Sequence, residues 1–274
     1  MLPIRKFAGT ASVVALLGAI AAWAPATSSP HLRLASTTDP TNAAKVFRWG
    51  NSQWHDGFTE PLQDMWKVNH PALVDDRHGM LTLQGTSTSG TVSATLTKHA
   101  RRYGRWEARV RVSHVGSTSA LPYEVVWELI PVHHYHCGAR SIVLADYPAK
   151  DNPDGTNEVN MFLRNTPNVQ YSATTPIQNL SGQNGTGFHT YAIEVTKDHI
   201  SWFVDTKVLR TETDPLARTG AWYKVRFRLV APASTTMNPA WMQMDWVRYY
   251  TLDRPDAQSI DAPEATSGTY SGAC

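Results

Sequence analysis

Apolar and polar residues alternate with a period of two along many short stretches of this chain. In residues 105–112, Trp106, Ala108, Val110 and Val112 fall on one side, and Arg105, Glu107, Arg109 and Arg111 on the other. That pattern belongs to a strand with one face on a core and the other on solvent. Similar runs occur at 80–84, 125–130, 141–145, 158–164, 190–195, 201–204, 224–230 and 242–250. Polar or glycine-containing breaks at 77–79, 89–90, 154–155, 196–199 and 205–207 separate them. There is no internal repeat and no amphipathic helical stretch. Many short strands with polar breaks predict an all-β sandwich or barrel over a β/α fold.

The ends of the chain read differently. Arg5 and Lys6 precede an apolar run from Phe7 to Ala24, and Ala24-Pro25-Ala26 supplies a small-x-small cleavage site. Residues 1–26 are therefore expected to be a secretory signal, and not a membrane anchor. Residues 27–45 are rich in Ser, Thr, Pro and Ala and read as a flexible leader, as residues 253–274 read as a flexible tail. One domain is expected between them, at 46–252. Removing Arg5 and Lys6 leaves 23 basic residues against 23 acidic. A formally neutral chain has no general field for a polyanion, so neither nucleic acid nor an anionic membrane is an expected partner. Export would put Cys137 and Cys274 in an oxidising setting, where a disulfide and a free Cys137 both remain open. The sequons Asn179-Leu-Ser181 and Asn184-Gly-Thr186 mark a surface loop.

Three segments in order carry a family resemblance. Tyr103-Gly-Arg-Trp-Glu-Ala-Arg-Val-Arg111, preceded by Gly79-Met-Leu-Thr-Leu83, resembles "YGRFEARIK" of glycoside hydrolase family 16, the laminarinase and lichenase group. Phe188-His-Thr-Tyr-Ala-Ile-Glu-Val195 with His199-Ile-Ser-Trp-Phe-Val-Asp205 is similar to the family's "HTYAVEWTPDHITWYVDG". Met244-Asp-Trp-Val-Arg-Tyr-Tyr250 resembles its closing "VDYVRVYQ". The resemblance implies a concanavalin A-like jelly-roll β-sandwich of two antiparallel sheets with a concave glycan cleft. It also implies action on a β-linked polysaccharide, without a cofactor.

One departure bears on chemistry. The family's catalytic strand reads Glu-Ile-Asp-x-x-Glu or Glu-x-Asp-x-Glu, after a "WLLP"-like strand. Trp127-Glu-Leu-Ile-Pro131 matches that preceding strand, but Cys137 to Tyr147 contains a single acid, Asp146. Retaining hydrolysis needs two carboxyl groups about 5–5.5 Å apart. The best second carboxylate is Glu128, expected to face Asp146 from the neighbouring strand and form a remodelled pair. The alternative is a Glu128 that is a surface carboxylate or is paired with an arginine such as Arg140.

Further candidates follow from the same resemblance. Glu107 and Arg109 carry over from a strand face that borders the family's cleft. Asn160 and Phe162 fall where polar and aromatic sugar contacts are expected, with Met161 and Leu163 facing the core. Tyr135 and His136, near the cleft rim, are candidates for stacking or hydrogen bonding to sugar. The cluster His133-His-Tyr-His136-Cys137 invites a metal reading, but its spacing matches no standard ligand pattern, and no metal site is expected. Trp106, Trp202 and Trp246 alternate with apolar neighbours and are expected in the core.

The expectation is a secreted, monomeric, single-domain sandwich that hydrolyses a β-linked polysaccharide. A non-catalytic glycan-binding protein and, behind it, a polysaccharide lyase using Tyr135, His136 and Arg140 are the alternatives.

Overall fold

In the computed structural model the described residues are 42–59, 61–114, 120–132, 140–149, 156–165, 168–178 and 187–254, all within the unit Pro40–Cys274. The signal segment, most of the leader, the histidine cluster with Tyr135 and His136, both cysteines, both sequons and the tail beyond Arg254 lie outside them. No helix among the described residues is long and apolar enough to cross a membrane.

A short helix α1 (Ala43–Val46) precedes β1 (Trp54–Asp56), β2 (Trp66–Val68), β3 (Val74–Asp76), β4 (Leu81–Gly85) and β5 (Val92–Leu96). Then come β6 (Gly104–His114), β7 (Glu124–Pro131), β8 (Ser141–Pro148), β9 (Thr156–Asn165) and β10 (Asn168–Gln178). The chain continues through β11 (His189–Val195), β12 (Ile200–Val204), β13 (Lys207–Glu212), β14 (Tyr223–Val230) and β15 (Ala240–Tyr250). Two antiparallel sheets result. One runs β13-β12-β11-β6-β15-β4-β3, with β1 also on β15; the other runs β10-β9-β8-β7-β14-β5-β2. Each contributes one face to a shared core, which joins Trp106, Ala108 and Val110 of the first to Val125, Trp127 and Leu129 of the second. The predicted all-β jelly-roll sandwich is the fold.

The motif residues prove to be clasps within this fold. Arg105 Nε donates to Glu194 Oε2 across the β6–β11 pair, at matched register. The other oxygen of Glu194 lies 2.6 Å from His199 Nε2. Burial acts to raise the Glu194 carboxyl, but His199 and Arg105 outweigh it and hold the group below its ordinary value. His189 Nδ1 meets Asp205 Oδ2 at 2.8 Å, while the Thr190 amide donates to Oδ1 at 2.9 Å. Trp202 stacks on Tyr171 at 5.4 Å and donates Nε1–H to the Val143 carbonyl at 3.0 Å, tying the two sheets together. Gly104, with φ +138°, is required for space as well: a Cβ there would lie 2.3 Å from the Tyr249 ring.

Two bulges break the period of two. In β15 the register shifts between Met244 and Trp246. Met242, Met244, Val247 and Tyr249 therefore enter the core. Trp246 is displaced to the outer face, with the Arg248 guanidinium 3.9 Å over its ring. The expectation that Trp246 is core is corrected; Trp106 and Trp202 are in it. In β8 the shift falls at Ala145, whose φ is +56°. Ile142, Leu144, Ala145 and Tyr147 all pack into the core as a result.

The leader boundary also moves. Asn42 caps α1 by accepting from the Lys45 amide at 3.0 Å. Ala43 and Ala44 are buried with Trp49, Ala192, Phe203 and Tyr250 on the outer face of the eight-stranded sheet. Small residues that read as linker composition are what lets the helix lie close against that sheet. Strands β1, β2, β3, β5, β10 and β13 were not visible as alternation: three are only three residues long, and β10 is largely polar.

Candidate glycan-binding face

The outer face of the seven-stranded sheet is built by alternation on its central strands. On β7, Tyr123, Val125, Trp127 and Leu129 enter the core, leaving Glu124, Val126, Glu128 and Ile130 for the other side. On β14, Val225, Phe227 and Leu229 are core, so Lys224, Arg226, Arg228 and Val230 share the outer face. On β9, Val159, Met161 and Leu163 are core, and Asn160, Phe162 and Arg164 are half-buried on the other side. The predicted facing of Asn160 and Phe162 thus agrees with the structure; Asn160 Oδ1 accepts from Thr174 Oγ1 at 2.8 Å.

Glu128 occupies the middle of this face, and its surroundings decide its chemistry. Its side chain is 1% exposed. Oε1 lies 2.6 Å from Arg226 Nη2, 2.6 Å from Arg226 Nε and 2.8 Å from Arg228 Nε. Oε2 accepts no hydrogen bond, and Arg164 Nη2 stands 3.6 Å away. Three guanidiniums, each about a fifth to a quarter exposed, therefore cover one buried carboxylate. Such a carboxylate is screened from a sugar carbon by the arginines that cover it. Around it Val126, Ile130 and Val143 are buried too, so the centre of the face is filled.

The expected opposition of Glu128 and Asp146 is corrected by the register. Glu128 pairs with Val143, while Asp146 pairs with Val126. Val143 takes the position opposite Glu128, and the extra residue that the bulge at Ala145 adds to β8 leaves Asp146 two positions away along β7. The alternative of an arginine-paired Glu128 describes the site, although its partners are Arg226, Arg228 and Arg164. Arg140 is buried and donates Nη1–H to the Leu216 carbonyl at 2.7 Å, so it is not presented to a ligand.

Glu107 and Arg109 are also corrected. They lie on β6, on the outer face of the other sheet, with the whole core between them and Glu128. Glu107 is buried beneath α1. The Ala44 amide donates to Oε1 at 3.1 Å and the Tyr250 hydroxyl to Oε2 at 3.4 Å. Burial pushes its carboxyl up to about 7, against the opposing pull of the Ala44 amide, Arg248 and Tyr250. Arg109 pairs with Asp245 at 2.7 Å and lies 4.4 Å over the Phe188 ring. Charge alternation told which residues share a face, not which of two sheets that face would belong to.

The residues missed from sequence are the arginines. Lys224-Val-Arg226-Phe-Arg228 already displays three cations on one side of a strand. Their meeting with Glu128 follows only from the β7–β14 pairing, in which Arg226 stands opposite Glu128. Among the described residues no group of three or more His, Cys, Asp or Glu is arranged to hold a metal ion.

The fold is a jelly-roll β-sandwich of two antiparallel sheets. Residues 150–248 match the family model for glycosyl hydrolases family 16. Among solved structures, the laminarinase from Flavobacterium sp. UMI-01 superposes with a TM-score of 0.60 at 17% identity, covering 73% of this chain and 100% of that one. The laminarinase from Rhodothermus marinus gives 0.55 at 18%, covering 73% and 97%. Porphyranase B from Zobellia galactanivorans gives 0.52 at 16%, covering 72% and 90%. No curated protein sequence matches the chain. The chain is thus similar to glycosyl hydrolases family 16 in sequence over residues 150–248, and to these solved structures in fold over 72–73% of its length.

Proposed function

We propose that this is a secreted carbohydrate-active protein that holds a β-linked polysaccharide on the outer face of the seven-stranded sheet without cutting it by a paired-acid route. The observation that carries this reading is the arginine cover on Glu128. A carboxylate 1% exposed behind three guanidiniums is not open to the carbon or the leaving oxygen of a glycosidic bond. Similar folds titled laminarinase and porphyranase support a polysaccharide as the ligand class. Export is inferred from Arg5, Lys6 and the apolar run that follows them.

Hydrolysis is the second reading. The specific observation in its favour is the bulge at Ala145, which brings Asp146 into register with Val126, two positions from Glu128 on β7. Electrophoresis through gels containing laminarin, lichenan or a neutral galactan, with a reducing-end assay on the same glycans, separates the two. Retarded migration without new reducing ends is the expected result. Reducing ends that appear with the native chain and vanish with Asp146→Asn would establish hydrolysis instead. Unretarded migration on every glycan would refute a glycan function.

A further inference from the structure

We infer that the basic part of this face binds the anionic groups of a charged polysaccharide, sulfate or carboxylate, so that an acidic β-glycan is held more tightly than its neutral counterpart. The inference rests on the outer face of the seven-stranded sheet being the glycan face, and it names the ligand class.

One register row crosses the sheet: Lys67 of β2 pairs with Thr95 of β5, Thr95 with Arg226 of β14, and Arg226 with Glu128 of β7. Lys224 and Arg228 flank Arg226 on the same strand, opposite Ile130 and Val126. Arg164 reaches Glu128 from β9 on the far side. Arg226 and Arg228 together bring one more positive charge than the Glu128 carboxylate they share neutralises. Among the described residues neither Lys67 nor Lys224 has a carboxylate partner. Among the described residues, Glu124 pairs in register with Val230 at the end of β14, Glu158 lies near the start of β9, and Asp146 stands one strand beyond Val126 in the row of Arg228. The chain as a whole is nearly balanced, with 25 basic and 23 acidic residues, so the crowding of cations is local.

Glu128 offsets that crowding in part. Burial lowers the Lys224 ammonium below its ordinary value, and the charges of Arg226 and Lys67 lower it further. Burial also lowers Arg228; Glu128 opposes that, and Arg226 and Arg164 add to it. An anion seated among these groups relieves both costs, and the guanidinium fork suits a sulfate or carboxylate with two parallel N–H donors. Phe162 shares the face, with the Arg164 guanidinium 5.8 Å over its ring. It gives a sugar ring an apolar surface beside the charges.

Binding of the full exported chain to laminarin, sulfated laminarin, carboxymethyl laminarin and a single-stranded DNA of similar charge, by titration calorimetry, tests the inference. The expected result is at least about tenfold tighter binding of one or both charged laminarins than of laminarin at low salt. The advantage should shrink as salt is raised. Whichever charged form binds tighter names the anion. The double substitution Lys67→Gln with Lys224→Gln, which leaves the Glu128 contacts in place, should remove most of that advantage. Equal binding of neutral and charged laminarin, or a double variant that behaves as the native chain, overturns the inference while the glycan function stands. DNA bound as tightly as sulfated laminarin overturns it as well, by showing an unselective polyanion surface. Absence of binding to every glycan overturns both.

Discussion

Replacing Glu107 with glutamine should remove a pH-dependent weakness from this fold. The carboxyl is buried under α1 and titrates at about 7, against an ordinary value of 4.5. Between those values the folded chain binds a proton that the unfolded chain has lost, so stability falls as pH rises through the window. The stabilisation from this group is complete below pH 4.5 and absent above 7. At about 1.4 kcal/mol per pKa unit, the swing is about 3 kcal/mol. Glutamine keeps an oxygen for the Ala44 amide and cannot ionise. Glu107→Gln should therefore match the native chain near pH 4.5 and exceed it by about 3 kcal/mol at pH 8, roughly 6–12 °C in Tm for a domain of this size. Thermal or urea unfolding of both proteins across pH 4–9 gives the comparison, since every other titrating group cancels in the difference. Parallel stability curves, with no divergence between pH 4.5 and 7, would refute the argument that burial controls this carboxyl.

Three other substitutions probe separate parts of the structure. Glu128→Gln leaves Arg164, Arg226 and Arg228 without their anion, and urea unfolding should show a loss of about 2–3 kcal/mol; an unchanged midpoint would mean the arginines do not depend on it. Arg105→Ala strips Glu194 of its buried cation, and the expected cost is about 3–5 kcal/mol, read from the denaturant midpoint at pH 7. Gly104→Ala forces a methyl into the Tyr249 ring at φ +138°, and should destabilise by about 2–5 kcal/mol from overlap and backbone strain together.

Much of the sandwich was legible because strands with one buried face write their partition into every second residue. The inward sets on β6, β7 and β9 were read correctly, including Trp127 against Glu128 and Met161 against Phe162. Where a bulge intervened in β15, the same rule failed and Trp246 left the core; Asp146 misses Glu128 because the β7–β8 pairing puts Val143 opposite it. Strands of three residues carry too few alternations to detect, and a polar edge strand such as β10 offers no apolar set at all. The family motifs named the fold rightly for a reason that differs from expectation. Arg105, Glu194, His199, His189 and Asp205 lock strands together, and Glu107 of the same motif lies under a helix far from the candidate face.

The amino-acid order by itself determined which side chains of each strand must travel together, since Cβ atoms alternate across a pleated backbone whatever lies around them. It also determined that the expected catalytic strand holds one acid. The tertiary structure alone decided which sheet received each face, which residues met across strands, and so whether Glu128 was a reagent or an anchor. Those outcomes depend on pairing between segments as far apart as Glu128 and Arg226, and no local period encodes such a distance.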